Sequence, residues 1–153
     1  MATGESNKSL LQTKDYPDKA DTGAVRSLVM SYLDTINKSD LDGMVNFYAP
    51  DAVYMPEYSD PVVGTPGIRN SYRALFEAFT INATITVDEV VQVAPDWIFA
   101  RCHSSGTMTV NHTGQPGPVV ANQELFIFQR TNGSWKIARY SFSSRRPPSV
   151  AAK

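Results

Sequence analysis

Glu124 lies in the run ANQELFIF, residues 121–128, where every other feature reads as a β-strand. Alternation along a strand puts its carboxylate on the same face as Asn122, Phe126 and Phe128. A carboxyl group on an apolar face can serve as a general acid or base, because burial disfavours the charged form and raises its pKa toward neutrality. His103 is a natural partner, since imidazole titrates near neutral pH. Arg101 and Arg139, on neighbouring runs, could hold a substrate carboxylate or stabilise an oxyanion. The same residue types also fit a buried structural pair between Glu124 and an arginine, with His103 hydrogen-bonded nearby. Pattern alone favours that simpler reading.

Other chemistries find less support. His103 and His112 are separated by a Gly/Thr-rich stretch, and no His-x-x-x-His or Cys-x-x-Cys spacing occurs, so no metal site is expected. The turn at residues 64–67 (GTPG) lacks the Lys-Ser/Thr signature of a phosphate-binding loop, and there is no Gly-x-Ser-x-Gly nucleophile elbow. The single Cys102 precludes an internal disulfide and reads as a small buried hydrophobe in a reducing cytoplasm. Tyr32 and Tyr72, on helical stripes, read first as core residues with wet hydroxyls.

The elements that must position these groups follow from periodicity. Residues 24–38 carry Val25, Leu28, Val29, Tyr32 and Ile36 at helical spacing. Ser39 or Asp40 can cap a second short helix through Tyr48, ended by Pro50. A short strand covers residues 52–55 and a loop covers 57–64. Thr65 can cap a third helix with Pro66 at its first position, running to Phe79. Four long strands follow, over 81–93, 97–110, 119–130 and 134–144, with Asn132-Gly133 the clearest hairpin turn. Helices first and then a meander of strands argues for an α+β fold with the helices on one sheet face.

One domain over residues 21–146 is expected, with a disordered N-terminal tail over 1–20 and a C-terminal tail over 147–153 after Arg145-Arg146-Pro147-Pro148. A formal net charge of -1 gives no reason to expect nucleic acid or an anionic membrane as partner. No apolar run approaches a membrane span, and the N-terminus lacks the basic and apolar regions of a secretory signal, so a cytoplasmic location is expected.

Three stretches together resemble a known superfamily. They are Asn37-x-x-Asp40 followed by Tyr48-Ala49-x-Asp51-Ala52, then Gly64-x-x-x-Ile68, then Gly133-x-Trp135-Lys136-Ile137. The combination is similar to the SnoaL-like and ketosteroid isomerase-like proteins of nuclear transport factor 2-like fold, closest to SgcJ/EcaC-type ketosteroid isomerase homologues. It covers residues 24–143. The resemblance implies a cone: three N-terminal helices on a curved, mostly antiparallel sheet, enclosing a pocket, with a homodimer formed through the sheet.

It also implies a site. Glu124 falls where the isomerase has its oxyanion-hole carboxylic acid, and Tyr32 where it has the oxyanion-hole tyrosine. Arg101, His103, Ser105 and Arg139 would face the pocket, and the two arginines would hold Glu124 ionised. The isomerase's general-base aspartate aligns with Pro56, with Glu57, Tyr58 and Asp60 following, which argues against steroid isomerisation itself. The implied enzyme is cofactor-independent and works by proton transfer on a polar or anionic carbonyl compound, such as an oxygenated polyketide-like acid of secondary metabolism. It would be an isomerase, cyclase or dehydratase. His103 and Glu124 would be the acid–base pair, with Tyr32 donating a hydrogen bond and Arg101 and Arg139 holding an anion. Tyr54, Tyr58, Trp97, Asn122 and Phe126 would shape the pocket. The alternative is a non-catalytic ligand-binding or oligomerisation module resembling the association domain of the calmodulin-dependent kinase.

Overall fold

The computed structural model describes residues 19–147. The expectations for residues 1–18 and 148–153 lie outside them. The elements run α1 (Lys19–Asn37), α2 (Leu41–Asn46), β1 (Tyr48–Met55), β2 (Val62–Val63), α3 (Thr65–Ala78), β3 (Phe79–Ala94), β4 (Trp97–Val110), β5 (Val120–Thr131) and β6 (Ser134–Ser144). One six-stranded sheet has the order β2-β1-β6-β5-β4-β3. Only the β1–β6 pair is parallel. The α+β architecture of helices against a mostly antiparallel sheet is the one the sequence pattern called for.

α1 buries Val25, Val29, Tyr32 and Leu33, a stripe recurring every three to four residues. It begins five residues before the expected start. The reason is Asp21, whose carboxylate accepts from the Arg130 guanidinium at 3.1 Å and from the Trp135 indole at 3.2 Å. Those contacts tie the first turn to the β5–β6 hairpin. Long-range partners of this kind leave no local signal. At the other end, Asn37 both donates to and accepts from the backbone of Ala83, at 2.9 and 3.0 Å. Its amide thus satisfies two polar groups of the sheet's edge strand β3.

α2 is short and opens on Asp40, whose side chain accepts from the Gly43 N–H at 3.0 Å. It ends before Tyr48, which starts β1. Pro50 falls within that strand, where the β1–β6 register is irregular and no ladder donor is lost. α3 has Gly64 rather than Thr65 at its cap, because the chain turns there with φ +85°. The Gly64 N–H reaches the Ala52 carbonyl at 2.8 Å and closes two-residue β2 onto β1.

The sheet bends at irregularities in its ladders. In β3 the register shifts around Asp88 and again between Gln92 and Ala94. In β6, Ile127 faces Arg139 while Phe128 faces Ile137, so Ala138 is the extra residue of a bulge. The β5–β6 turn has positive φ at Asn132 and Gly133, 51° and 78°, as a tight twisted hairpin requires. The core lies between the helices and the inner sheet face, and Tyr72, Phe126 and Phe128 are its largest fully buried side chains.

Candidate functional site: an aromatic cavity around Glu124

Strand register decides which polar groups look inward. Glu124 on β5 pairs with Cys102 on β4 and Phe142 on β6, and directly paired residues share a face. Glu124 is buried, so Cys102 and its alternates Ala100 and Ser104 look inward too. Arg101, His103 and Ser105 therefore point out of the opposite face. This corrects the expectation that they line the pocket: the inner face of β4 carries Ile98, Ala100, Cys102 and Ser104, and its aromatics, Trp97 and Phe99, lie on the outer face with the arginine. Arg139 is corrected for a different reason. The bulge at Ala138 reverses the alternation, so Arg139 is exposed and Tyr140 is buried in its stead.

The inner face and helices α1 and α3 enclose a cavity of about 610 Å³. Its polar end is formed by Glu124, Ser104, Asn122 and the phenols of Tyr32, Tyr72 and Tyr140. Exposed Tyr58, Val119 and Arg146 mark its mouth. Of the residues singled out from sequence, Tyr32, Tyr54, Tyr58, Asn122 and Glu124 meet here. Phe126 lies beneath the lining, stacked on Tyr140 with ring centroids 4.2 Å apart. Trp97 sits at the far β3–β4 turn and does not reach the cavity.

Ser104 donates its hydroxyl to Oε1 of Glu124 in a short hydrogen bond. Oε2 is buried and has no hydrogen-bond partner among the described residues. An ionised carboxylate would leave that oxygen both unsolvated and unpaired, which is costly. Burial accordingly raises the Glu124 pKa to about 7, against the downward pulls of the Ser104 hydroxyl, His103 and Arg145. The arginines expected to keep it ionised are on the other face, so Glu124 is a group that changes protonation near neutral pH.

Beside it runs a chain of phenols. The Tyr72 hydroxyl lies 2.7 Å from that of Tyr32 and 2.6 Å from that of Tyr48. Burial raises all of these pKa values, and Tyr72 is pushed up to about 12. Its rise is restrained because the hydroxyls of Tyr32, Tyr48 and Tyr54 hydrogen-bond to it. With Tyr32 and Tyr48 donating to it, Tyr72 would keep its own proton for an acceptor in the cavity. Sequence reading set Tyr72 aside as a core residue. Its spacing of four before the partly buried Phe76 gave no sign that three other phenols converge on it.

Ser104 and Tyr140 were missed outright. The signal for both was pairing with Glu124's strand, which needs the register and the bulge. Cys102 is fully buried, its thiol pushed up to about 12 by burial, and behaves as the small hydrophobe expected. Pro56 carries no acid, and Glu57 beside it lines the cavity, but its Oε1 accepts the Ser144 N–H at 2.7 Å.

On the outer face, His103 Nδ1 lies 2.7 Å from Asp88 Oδ2, and Arg101 pairs with Glu89 at 2.9 Å and with Asp88 at 3.6 Å. Asp88, Arg101 and His103 line an open groove on that face with Gln123, Leu125 and Ser143. Among the described residues, no cluster of three or more His, Cys, Asp or Glu could hold a metal, and no helix is long and apolar enough to cross a membrane.

Comparisons with known proteins agree with this architecture. A ketosteroid isomerase-like protein from Erwinia carotovora atroseptica is 30% identical and superposes with a TM-score of 0.79, over 84% of this chain and 99% of that one. A hexachlorocyclohexane dehydrochlorinase of type 2, 15% identical, shares the fold with a TM-score of 0.73 over 86% and 96% of the two chains. So does a conserved protein from Planctomyces limnophilus, 23% identical, with a TM-score of 0.68 over 80% and 94%. No curated protein matches the sequence. The SnoaL-like domain matches residues 29–140, most of the described chain, and the protein belongs to the SnoaL-like family.

Proposed function

We propose that this chain is a cofactor-independent enzyme that moves a proton on a small carbonyl compound, as an isomerase, cyclase or dehydratase. The observation that carries the reading is Glu124: a carboxyl group of pKa about 7 in the wall of a largely apolar cavity, beside hydrogen-bonded phenols. A base of that pKa balances the fraction ionised at neutral pH against its strength. Ionised Glu124 would take the proton from the carbon next to the carbonyl, and the C–H electron pair would become an enolate. Tyr72, supported by Tyr32 and Tyr48, would donate to the enolate oxygen. Glu124 would then return the proton to another carbon in an isomerisation, or to a departing hydroxyl that leaves as water in a dehydration. The position taken by a helper acid in the resembled isomerase would here do the base's work, since Pro56 cannot and Glu57 is engaged by Ser144.

The oligomerisation-module alternative draws no support from the neighbouring structures, and nothing in the cavity favours it. A second copy of this chain is the partner the resemblance implies, packed on the outer sheet face around Leu125, which is 43% exposed. Sedimentation velocity would read a dimer.

The reaction itself is tested by deuterium exchange. A panel of cyclic aryl ketones, 2-tetralone among them, is incubated in D₂O and followed by proton NMR. Exchange next to the carbonyl, faster with the wild type than with Glu124→Gln, supports the reading. No acceleration across the panel sinks it.

A further inference from the structure

The cavity's charges are arranged along its length. Glu124 occupies the buried end. The single cationic side chain lining the cavity among the described residues is Arg146, exposed at the mouth. Its neighbour Arg145 is committed elsewhere, donating to the carbonyls of Asn122 and Ser104 and to the Ser105 hydroxyl at 3.1–3.2 Å. Arg146 has no side-chain partner among the described residues, yet its backbone is fixed at both polar atoms. The Ser144 hydroxyl donates to its carbonyl at 2.8 Å and accepts from its N–H at 3.2 Å. Ser144 is held in turn by the Glu57 carboxylate on its own N–H. A fixed backbone thus places an uncommitted guanidinium at the entrance.

We propose that Arg146 selects an amphipathic anion: a ligand whose apolar body fills the cavity while its carboxylate stays at the mouth, paired with this guanidinium. The orientation follows from cost. A carboxylate driven to the buried end would lose its hydration and meet Glu124 with no cation lining the cavity there, which is unfavourable on both counts. At the mouth the same group stays hydrated and gains a charge-assisted pair that can be bidentate. Among the described residues that line that end, Glu57 is the opposing charge, and one of its oxygens accepts from the Ser144 N–H. The apolar residues around the entrance, Tyr58, Val119 and Pro147, suit a ligand whose hydrocarbon part begins just inside. This refines the substrate class of the cavity proposed above and rests on that cavity being the binding site, but not on any proton transfer.

The test measures affinity without turnover. 1-Naphthylacetate and its neutral isostere 1-naphthylacetamide are titrated into the full chain by calorimetry. The wild type is expected to prefer the carboxylate by roughly 10-fold. Arg146→Gln should abolish that preference while leaving the amide's affinity unchanged, which also shows that the cavity is intact. Arg146→Lys should keep part of it, and roughly 0.5 M salt should shrink it in the wild type, because the pair is exposed. Equal affinities in the wild type, or a preference that survives Arg146→Gln, overturn the role of Arg146 alone. Failure of both probes to bind overturns it together with the cavity as a ligand site. Loss of Glu124-dependent exchange with the preference intact overturns only the chemistry.

Discussion

The Ser104 hydroxyl engages one oxygen of Glu124, and the other is buried with no hydrogen-bond partner among the described residues. The two residues sit on adjacent strands, two positions apart along the ladder from the Cys102–Glu124 pair. Ser104 is the one side-chain hydrogen bond that favours the ionised form, and it acts against burial. Ser104→Ala should therefore raise the Glu124 pKa above about 7 without moving the cavity walls. Carbon-13 NMR of the glutamate carboxyls would record the shift, and an unmoved titration would contradict this account.

Glu124→Gln keeps the volume and removes the titration. Proton exchange on the ketone panel should fall by at least about 100-fold, in the range general-base catalysis supplies. The same variant should fold, since a neutral amide is easier to bury than a carboxylate. In the wild type, exchange plotted against pH should rise and level off above about 7 if Glu124 acts as the base. A profile that falls through the same point would assign it the acid's role instead.

Stability carries the opposite sign. Between the ordinary value of 4.5 and about 7, folded Glu124 holds a proton that the unfolded chain has released. Its share of stability is present at pH 4.5 and declines as pH rises to about 7, then stays flat. The loss is on the order of 3 kcal/mol. Urea midpoints for the wild type and Glu124→Gln, subtracted at each pH, should show that slope. A flat difference would mean that Glu124 is ionised throughout.

Tyr72→Phe removes the hydroxyl on which those of Tyr32 and Tyr48 converge. Two buried phenols then lose their shared partner, at a cost of about 1–3 kcal/mol. Tyr48 does not line the cavity, so Tyr48→Phe should weaken the fold while affecting exchange less than Tyr72→Phe does. Denaturant melts and exchange rates, taken on both variants, separate the two effects.

His103→Ala is expected to leave exchange within about tenfold of the wild type, because the imidazole lies on the outer face, bonded to Asp88. A loss as deep as that of Glu124→Gln would return His103 to the chemistry. If the outer face is a dimer contact, this variant and Leu125→Asp should instead shift the sedimentation profile toward monomer.

Much of the fold was legible because local signals agreed with the final packing. Asp40 caps α2, Asn132-Gly133 turns the last hairpin, and β4 and β6 have the bounds that their patterns suggested. Glu124 could be singled out because a lone carboxylate between phenylalanines breaks an apolar face. The neighbours of that carboxylate were not legible. Which face of β4 turns inward depends on cross-strand pairing, and both faces of that strand mix polar with apolar residues. The start of α1 depends on Arg130 and Trp135, more than a hundred residues away. Periodicity reports only what lies within a turn or two of the chain.

The bulge at Ala138 acts as a frame for the lining of the cavity. One residue more or less at that point exchanges the inward set Tyr140 and Phe142 for Arg139 and Ser141, with no substitution anywhere. Deleting Ala138 would thus rewrite an aromatic wall as a cationic one. In a fold of this kind, the length of a single strand is as much a determinant of ligand chemistry as any side chain upon it.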